Sequence, residues 1–302
     1  MRGIITALIT LLSVSPAFAE LEVQRVTDTV YALVGELGQR TPENFGNNAT
    51  FGVIVTAEGV VLIDSGGSRR GAEEIETAIR RFTEQPVKVV INSGGQDHRW
   101  FGNAYFRSKG ARIIASRAAV ADHKARFREQ YNSLAALIGP SLEGTEPSFA
   151  EQTFEQDHHI TLGETRIELY HRGAAHTPGD TLIWLPQQRV AFAGDVVYTE
   201  RMLGVGTMSN SSSWLTVFEF LRDLAPLHVI PGHGRATTLE QATVDTYDYL
   251  VFLREAVAAH MEAGNGIETV GEIDQSPFSH LLVYEQIKGR NAQQVYQEME
   301  WE

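Results

Sequence analysis

The sequence of 302 residues contains no cysteine. This absence excludes disulfide bonds and thiolate ligands, so any bound metal must be held by nitrogen and oxygen atoms. Basic residues are outnumbered, since 25 Lys and Arg stand against 38 Asp and Glu and the formal net charge is −13. No Lys/Arg cluster interrupts this excess, which argues against nucleic acid as a partner. The same charge disfavours anionic substrates at long range, although a bound dication can reverse the sign locally.

Long apolar runs are missing beyond the first residues of the chain. Residues 1–19, MRGIITALITLLSVSPAFA, place Arg2 before an apolar run over 4–14 and end in small residues. This pattern is typical of a secretory signal peptide, and the run is too short to span a bilayer comfortably. We therefore predict a signal peptide over 1–19, cleaved before Glu20, and a periplasmic or secreted protein with no membrane attachment after cleavage.

The remaining chain shows no internal repeat and no long linker, so a single domain over 20–302 is expected. Segments rich in Val, Ile and Thr predict strands at 29–35, 49–56, 59–66, 87–93, 111–116, 165–173, 181–186, 189–195 and 228–234. Apolar periodicity and capping residues predict helices at 69–82, 118–139 and 214–224, with further helices from about 238. Strands interleaved with helices in both halves indicate an α/β fold in which packed sheets carry helices outside.

Three local expectations complete this outline. Ser211 to Ser213 are expected to cap the helix over 214–224. Residues 140–154 are rich in Gly, Pro, Ser and Glu and are expected to form a surface loop. His158 and His159 are placed in a polar loop.

Polar residues follow several of the predicted strands. Each member of this set comes directly after an apolar strand or in the loop that leaves it: Asp97, His98, His176, Asp195 and His233. Loops that leave neighbouring strands can converge at one edge of a sheet sandwich. Histidine and carboxylate together suit zinc, and iron or manganese are also compatible. Taken singly, each residue has a structural alternative, because an Asp can cap a turn and a lone His is commonly structural.

The motifs QDHRWFGN, AAHTPGDTLIWLP, VAFAGDVVY and VIPGHG, in that order, resemble the metallo-β-lactamase superfamily. The likeness begins at NNATFGVIVTAEGVVLIDSG and runs to about His233. It implies a four-layer αββα sandwich, extended by C-terminal helices, with the metal site at the edge where the two sheets meet.

The superfamily's HxHxDH motif falls on residues 93–98, which read SGGQDH. Its two leading histidines are replaced by Ser93 and Gly95. The resemblance therefore implies that the first of the two metal positions is lost, because glycine has no side chain and a neutral hydroxyl is a poor zinc ligand. The second position is retained in full, with four ligands: Asp97, His98, Asp195 and His233.

The resulting prediction is an exported metal-dependent hydrolase of a small ester, thioester, lactone or amide. It uses a single metal ion per chain, expected to be Zn²⁺, with iron or manganese not excluded. The catalytic candidates are His176 and Asp97; His176, relieved of coordination, positions or deprotonates the attacking water. Asp64 is expected either to orient a ligand or to cap its turn. Gly94 and Gly95 leave room for substrate or permit an unusual backbone path.

Two alternatives stay open at this stage. The chain could be a catalytically inactive or weak protein that binds a metal or small ligand for a periplasmic partner system, whose protein partner the sequence does not identify. It could also recruit a different ion to the first position through His171 or Gln96.

Overall fold

The computed structural model describes residues 20–302, so the predicted signal peptide lies outside the described residues. Two β-sheets form the centre of the fold. The first sheet consists of Glu22–Arg25 (β1), Val30–Val34 (β2), Thr50–Thr56 (β3), Gly59–Ile63 (β4), Val87–Asn92 (β5), Arg112–Ser116 (β6) and Gln152–Phe154 (β7). The second consists of Asp157–Leu162 (β8), Thr165–Tyr170 (β9), Leu182–Leu185 (β10), Val190–Tyr198 (β11) and His228–His233 (β12).

Both sheets contain antiparallel and parallel strand pairs. In the first sheet, β1 to β4 form an antiparallel meander, and β5, β6 and β7 continue the sheet in parallel. In the second sheet, β8 to β11 are antiparallel and β12 pairs in parallel with β11. The nine predicted strands are confirmed, with bounds shifted by a few residues.

Side chains along a strand point alternately to the two faces of its sheet, so one strand contributes to two different layers of the core. On β3, Phe51 and Val53 pack into the layer between the first sheet and its helices, whereas Ile54 faces the second sheet. Phe192 and Ile230 approach the same inter-sheet layer from the second sheet. Successive residues of a strand point to opposite faces, so one strand can supply two apolar layers. The fold is therefore the predicted αββα sandwich.

Helices cover both outer faces of the sandwich. They are Arg69–Arg80 (α1), Asp97–Trp100 (α2), Asn103–Ser108 (α3), Arg117–Ile138 (α4), Ser211–Asp223 (α5), Leu239–Ala242 (α6), Asp248–Glu262 (α7) and Tyr284–Met299 (α8). The helix α1 begins at Ser68, whose hydroxyl accepts from the Gly71 amide at 2.9 Å, and it buries Ile75 and Ile79. The C-terminal helices pack with α5 against the second sheet around Trp214. Within residues 20–302, no helix is long and apolar enough to cross a membrane.

Three local predictions need correction. The N-cap of α5 is Asn210, whose side chain accepts from the Ser213 amide at 2.7 Å, so the three serines form the first turn instead of the cap. His158 and His159 lie in the strand β8, which the sequence did not reveal because only Ile160 of that strand is buried. The segment 140–154 is a loop that ends in β7, an edge strand of three residues.

Candidate metal centre

Three of the predicted ligands converge at the edge where the sheets meet. His98 lies in α2, directly after the loop that leaves β5, while Asp195 lies in β11 and His233 ends β12. One ligand atom from each residue lies within 4.8 Å of the other two. All three side chains are buried. Two imidazoles and one carboxylate, with room for a further ligand, form a set that suits a catalytic divalent ion.

The hydrogen bonds of His233 leave a lone pair facing a carboxylate. Burial is the largest of the effects that together hold the pKa of His233 well below its usual range, so the ring is neutral and carries one proton. Its Nδ1 lies 2.8 Å from the carbonyl oxygen of Asn48 and must donate that proton. The Nε2 lone pair therefore faces Asp195 Oδ1 at 3.3 Å. Two electron-rich atoms at this distance fit a cation held between them.

His98 presents a different arrangement. Its Nε2 is buried without a hydrogen-bond partner and lies 3.5 Å from Asp195 Oδ2. Its Nδ1 lies 2.7 Å from Nη2 of Arg40. Arginine only donates, so this contact makes Nδ1 the acceptor and puts the proton on Nε2. Nε2 becomes available to a metal only when Arg40 leaves Nδ1.

Asp97 lies outside the group of three. Its Oδ1 accepts from Arg40 Nη2 at 2.5 Å and from the backbone amide of His98 at 2.7 Å, and it lies 3.2 Å from His98 Nδ1. Burial would raise the pKa of this carboxyl, but Arg40 and His98 bring it well below its usual range. The structure thus places a charged carboxylate beside the imidazole of His98, where it can orient that ring.

Arg99 holds Asp195 from the other side. Its Nε and Nη2 donate to the two carboxylate oxygens of Asp195 at 3.1 and 2.7 Å, and its Nη1 donates to Asp64 Oδ2 at 2.9 Å. Arg99 is fully buried. Asp64 therefore reaches the site only through Arg99, and it also accepts from the Ser93 amide and hydroxyl, each at 2.7 Å.

His176 also lies outside the group of three. Its Nδ1 donates to the carbonyl of Gly204 at 2.8 Å, and its Nε2 accepts from the side-chain amide of Gln96 at 2.9 Å. Burial lowers the pKa of His176 to about 4, so the ring is neutral at physiological pH. Such a low pKa suits positioning a water molecule better than removing a proton from it. His171 faces a separate cavity, and its Nδ1 lies 2.9 Å from the carbonyl of Asp180.

Protein side chains fill the space beside Gly94 and Gly95, the two glycines of the SGGQDH segment. An ideal Cβ on Gly95 would lie 2.0 Å from Asp122 Oδ2, and one on Gly94 would lie 2.4 Å from Asp180 Oδ1. Neither glycine has a positive φ. Contrary to expectation, these glycines neither leave room for substrate nor follow an unusual backbone path. They permit close packing of the loop.

Several residues at the site were not found from the sequence. A cavity of about 240 Å³ opens onto the three histidines and is also lined by Arg40, Tyr198, Arg201 and Arg290, among others. Tyr198 stacks on His233 with ring centroids 4.6 Å apart. Arg99 directly follows the Asp-His pair and Arg201 follows β11, so placement after a strand was an available signal for both. Arg40 and Arg290 carry no comparable signal.

Known proteins of similar sequence support this architecture. A family model for the metallo-beta-lactamase superfamily matches residues 46–233. A metallo-beta-lactamase type 2 from Bacillus sp. (strain 170) is 25% identical over 66% of this chain and 71% of its own length. The corresponding enzyme from Elizabethkingia meningoseptica is 21% identical over 75% of this chain and 84% of its own length.

Solved structures show the same fold at low identity. A metallo-beta-lactamase from Pontibacter korlensis has a TM-score of 0.58 at 23% identity and covers 74% of this chain and 96% of its own. A stereoselective inverting sec-alkylsulfatase from Pseudomonas sp. has a TM-score of 0.68 at 16% identity and covers 92% of this chain and 50% of its own. The chain belongs to the metallo-beta-lactamase superfamily. This membership indicates a metal-dependent hydrolase, with a candidate metal site at His98, Asp195 and His233.

Proposed function

We propose that the protein is an exported hydrolase that uses one divalent ion, Zn²⁺, to cleave a small ester, thioester, lactone or amide. The observation that carries this proposal is the Nε2 lone pair of His233, which faces Asp195 Oδ1 at 3.3 Å. Both His98 and His233 direct Nε2 toward the same carboxylate. The ion is held by His98, Asp195 and His233, and Asp97 orients His98.

The bound ion would supply Lewis acidity, which lowers the pKa of a water molecule toward neutrality and polarises a substrate oxygen. The residues of the chain prepare the rest of the site. Gln96 donates to Nε2 of His176 and holds this neutral ring at the cavity wall, so the ring can orient the attacking water only when Gln96 releases Nε2. Arg99 fixes both oxygens of Asp195 and so limits the rotation of that carboxylate. The cavity of about 240 Å³ suits a small substrate.

Export is supported by the sequence of residues 1–19. Expression of the full-length gene, followed by fractionation and mass measurement of the product, tests this part of the proposal. A periplasmic product that begins at Glu20 is expected. A cytoplasmic product that retains Met1 would contradict it.

The test of the metal centre compares His233→Ala with His159→Ala. His159 is an exposed residue of β8 and serves as the matched control. Metal analysis of zinc-incubated protein should give about one ion per chain for the wild type and for His159→Ala. His233→Ala should lose the ion and, on a panel of esters, thioesters, lactones and amides, at least about 100-fold of the turnover.

Other outcomes of this test are equally informative. A stoichiometry near two would contradict the single-ion assignment. Equal turnover in wild type and His233→Ala would show that the measured activity does not arise at this site. Tight metal binding without turnover on any member of the panel would favour the alternative of a binding protein.

A further inference from the structure

Three arginine side chains line the cavity that contains the candidate metal site. Arg40 comes from the loop after β2, Arg201 follows β11, and Arg290 lies on α8. These three residues are far apart in the sequence, so the fold alone brings their charges together. The cavity wall is therefore cationic, although the chain as a whole carries a net charge of −13.

Two of these arginines form no ion pair within the part of the chain that the structure describes. Arg40 is paired with Asp97 at 2.5 Å. Within residues 20–302, neither Arg201 nor Arg290 has a carboxylate oxygen within 4.0 Å, the limit that defines the ion pairs found elsewhere in the fold. Arg254, by contrast, is paired with a glutamate of α8 and with the last residue of the chain.

The guanidinium of Arg201 has hydrogen-bonding capacity that the described residues do not use. Its Nη1 donates to the carbonyl of Gly38 at 2.8 Å, while its Nε is buried without any hydrogen-bond partner. Burial lowers the pKa of Arg201, and repulsion from Arg40 and Arg290 lowers it further, against the opposing effects of Tyr198 and Asp195. A partly buried guanidinium among like charges is unfavourable unless an anion offsets it.

We propose that Arg201 and Arg290 form a binding site for an anionic group of the substrate, a sulfate, phosphate or carboxylate, beside the candidate metal site. The planar guanidinium groups donate paired N–H bonds that match the oxygens of such groups. This assignment rests on the proposed function for the hydrolysis step, and it names the class of substrate that the hydrolase takes. The binding of the anion itself requires neither metal nor turnover.

The long-range and local effects of charge oppose each other here. The excess of acidic residues slows the approach of an anion, but solvent ions screen that field beyond about 8 to 10 Å at physiological ionic strength. Inside the cavity the arginines are much closer to the ligand than this distance. Local attraction therefore decides the affinity, and the net charge of the whole chain affects mainly the association rate.

The test uses metal-free mature protein from which the chelator has been removed, titrated calorimetrically with sodium sulfate, sodium phosphate and sodium acetate in separate arms. Wild type, Arg201→Gln and Arg290→Gln are compared with Arg128→Gln. Arg128 is exposed on α4 and has no ion pair within the described residues, so this variant loses the same charge outside the cavity. The arm that binds most tightly identifies the anionic group.

At least one anion should bind the wild type with a stoichiometry of one. Arg201→Gln and Arg290→Gln should each weaken this binding by about tenfold, whereas Arg128→Gln should change it by less than about twofold. If none of the three anions binds, or if all three variants bind like the wild type, the proposal is wrong. Arg290 is exposed, so its substitution leaves the fold intact even if Arg201→Gln is poorly folded.

Measurements of hydrolysis distinguish a failure of the anion site from a failure of the proposed function. Hydrolysis of neutral esters in preference to their anionic analogues would retain the hydrolase and overturn the anion site. Arginine-dependent anion binding without any hydrolysis would retain the anion site and overturn the hydrolase.

Discussion

The contact between Arg40 and His98 is expected to weaken metal binding at the candidate site. Nη2 of Arg40 lies 2.7 Å from Nδ1 of His98, which fixes the proton of the ring on Nε2. A metal ion needs the Nε2 lone pair, so the proton must move to Nδ1. An N–H group of Arg40 would then face another N–H group at hydrogen-bond distance. Arg40 and the metal ion therefore compete for the same histidine.

We predict that Arg40→Met binds Zn²⁺ at least about tenfold more tightly than the wild type. Without the guanidinium, Nδ1–H of His98 can donate to Asp97 Oδ1, which lies 3.2 Å away, and this carboxylate–histidine pair strengthens the ligand. Competition titration against a chromophoric chelator measures the dissociation constant. Arg128→Met provides the control and should match the wild type. Weaker binding by Arg40→Met would show that Arg40 supports the metal site.

The sequence predicted the convergence of His98, Asp195 and His233, because each lies at or just after the end of a predicted strand. It did not predict Arg40, which contacts His98 from a loop 58 residues away and belongs to no motif. Asp97 as a metal ligand stays a prediction, since its carboxylate is held by Arg40 in this structure.

The loop between β5 and α2 carries Gly94 and Gly95 and is held in place by α4. Side chains of α4 hold its backbone: His123 Nε2 lies 2.9 Å from the Gly94 carbonyl, and Gln130 Nε2 donates to the Gly95 carbonyl at 2.8 Å. Asp122, also on α4, occupies the space beside Gly95 and is paired with Arg126. Packing of α4 against this loop thus fills the space beside the two glycines with protein contacts.

We predict that Gly95→Ala lowers the free energy of unfolding by about 1–3 kcal/mol, because its Cβ would lie 2.0 Å from Asp122 Oδ2. Urea denaturation followed by circular dichroism measures the change. Gly38→Ala is the matched control, since a Cβ there meets no atom within 4 Å. Asp122→Ala combined with Gly95→Ala should regain part of the lost stability. A stable Gly95→Ala single variant would show that the loop moves easily.

Strand prediction succeeded for the strands that contain several apolar residues, including the edge strand β12, and failed for three edge strands made mostly of polar residues. The segments that became β3 and β4 are buried almost throughout, so runs of Val and Ile were a sufficient signal. β1, β7 and β8 lie at sheet edges and carry mostly polar residues. Their pairing depends on neighbouring strands, which a local pattern does not contain.

At the scale of the whole molecule, one buried carboxyl makes stability depend on pH. Glu74 accepts from the Leu21 amide at 3.2 Å and from the side chain of Asn47 at 3.0 Å, which ties α1 to the start of the described chain. Burial raises the pKa of Glu74 from 4.5 to about 7. The folded state therefore binds a proton that the unfolded state releases between these two pH values. Its contribution to stability is greatest below pH 4.5 and is lost as the pH rises through about 7.

We predict that Glu74→Gln removes this dependence. Relative to the wild type, the variant should gain on the order of 2 kcal/mol of unfolding free energy between pH 5 and pH 8, because it has no charge to bury. Urea unfolding at several pH values in this range measures the difference. Glu73→Gln is the control, since the side chain of Glu73 is 45% exposed and is paired with Arg69. Parallel pH profiles for wild type and Glu74→Gln would contradict the prediction.

The side chain of Arg99 connects the two sheets of the sandwich. Its guanidinium donates to Thr50 and Asp64 at the first sheet and to Asp195 and Gly232 in the second. These hydrogen bonds involve only groups of the protein, so they do not depend on a bound ion or substrate. The two sheets are therefore held together at the site without an ion, and removal of a bound ion is expected to leave the sandwich intact.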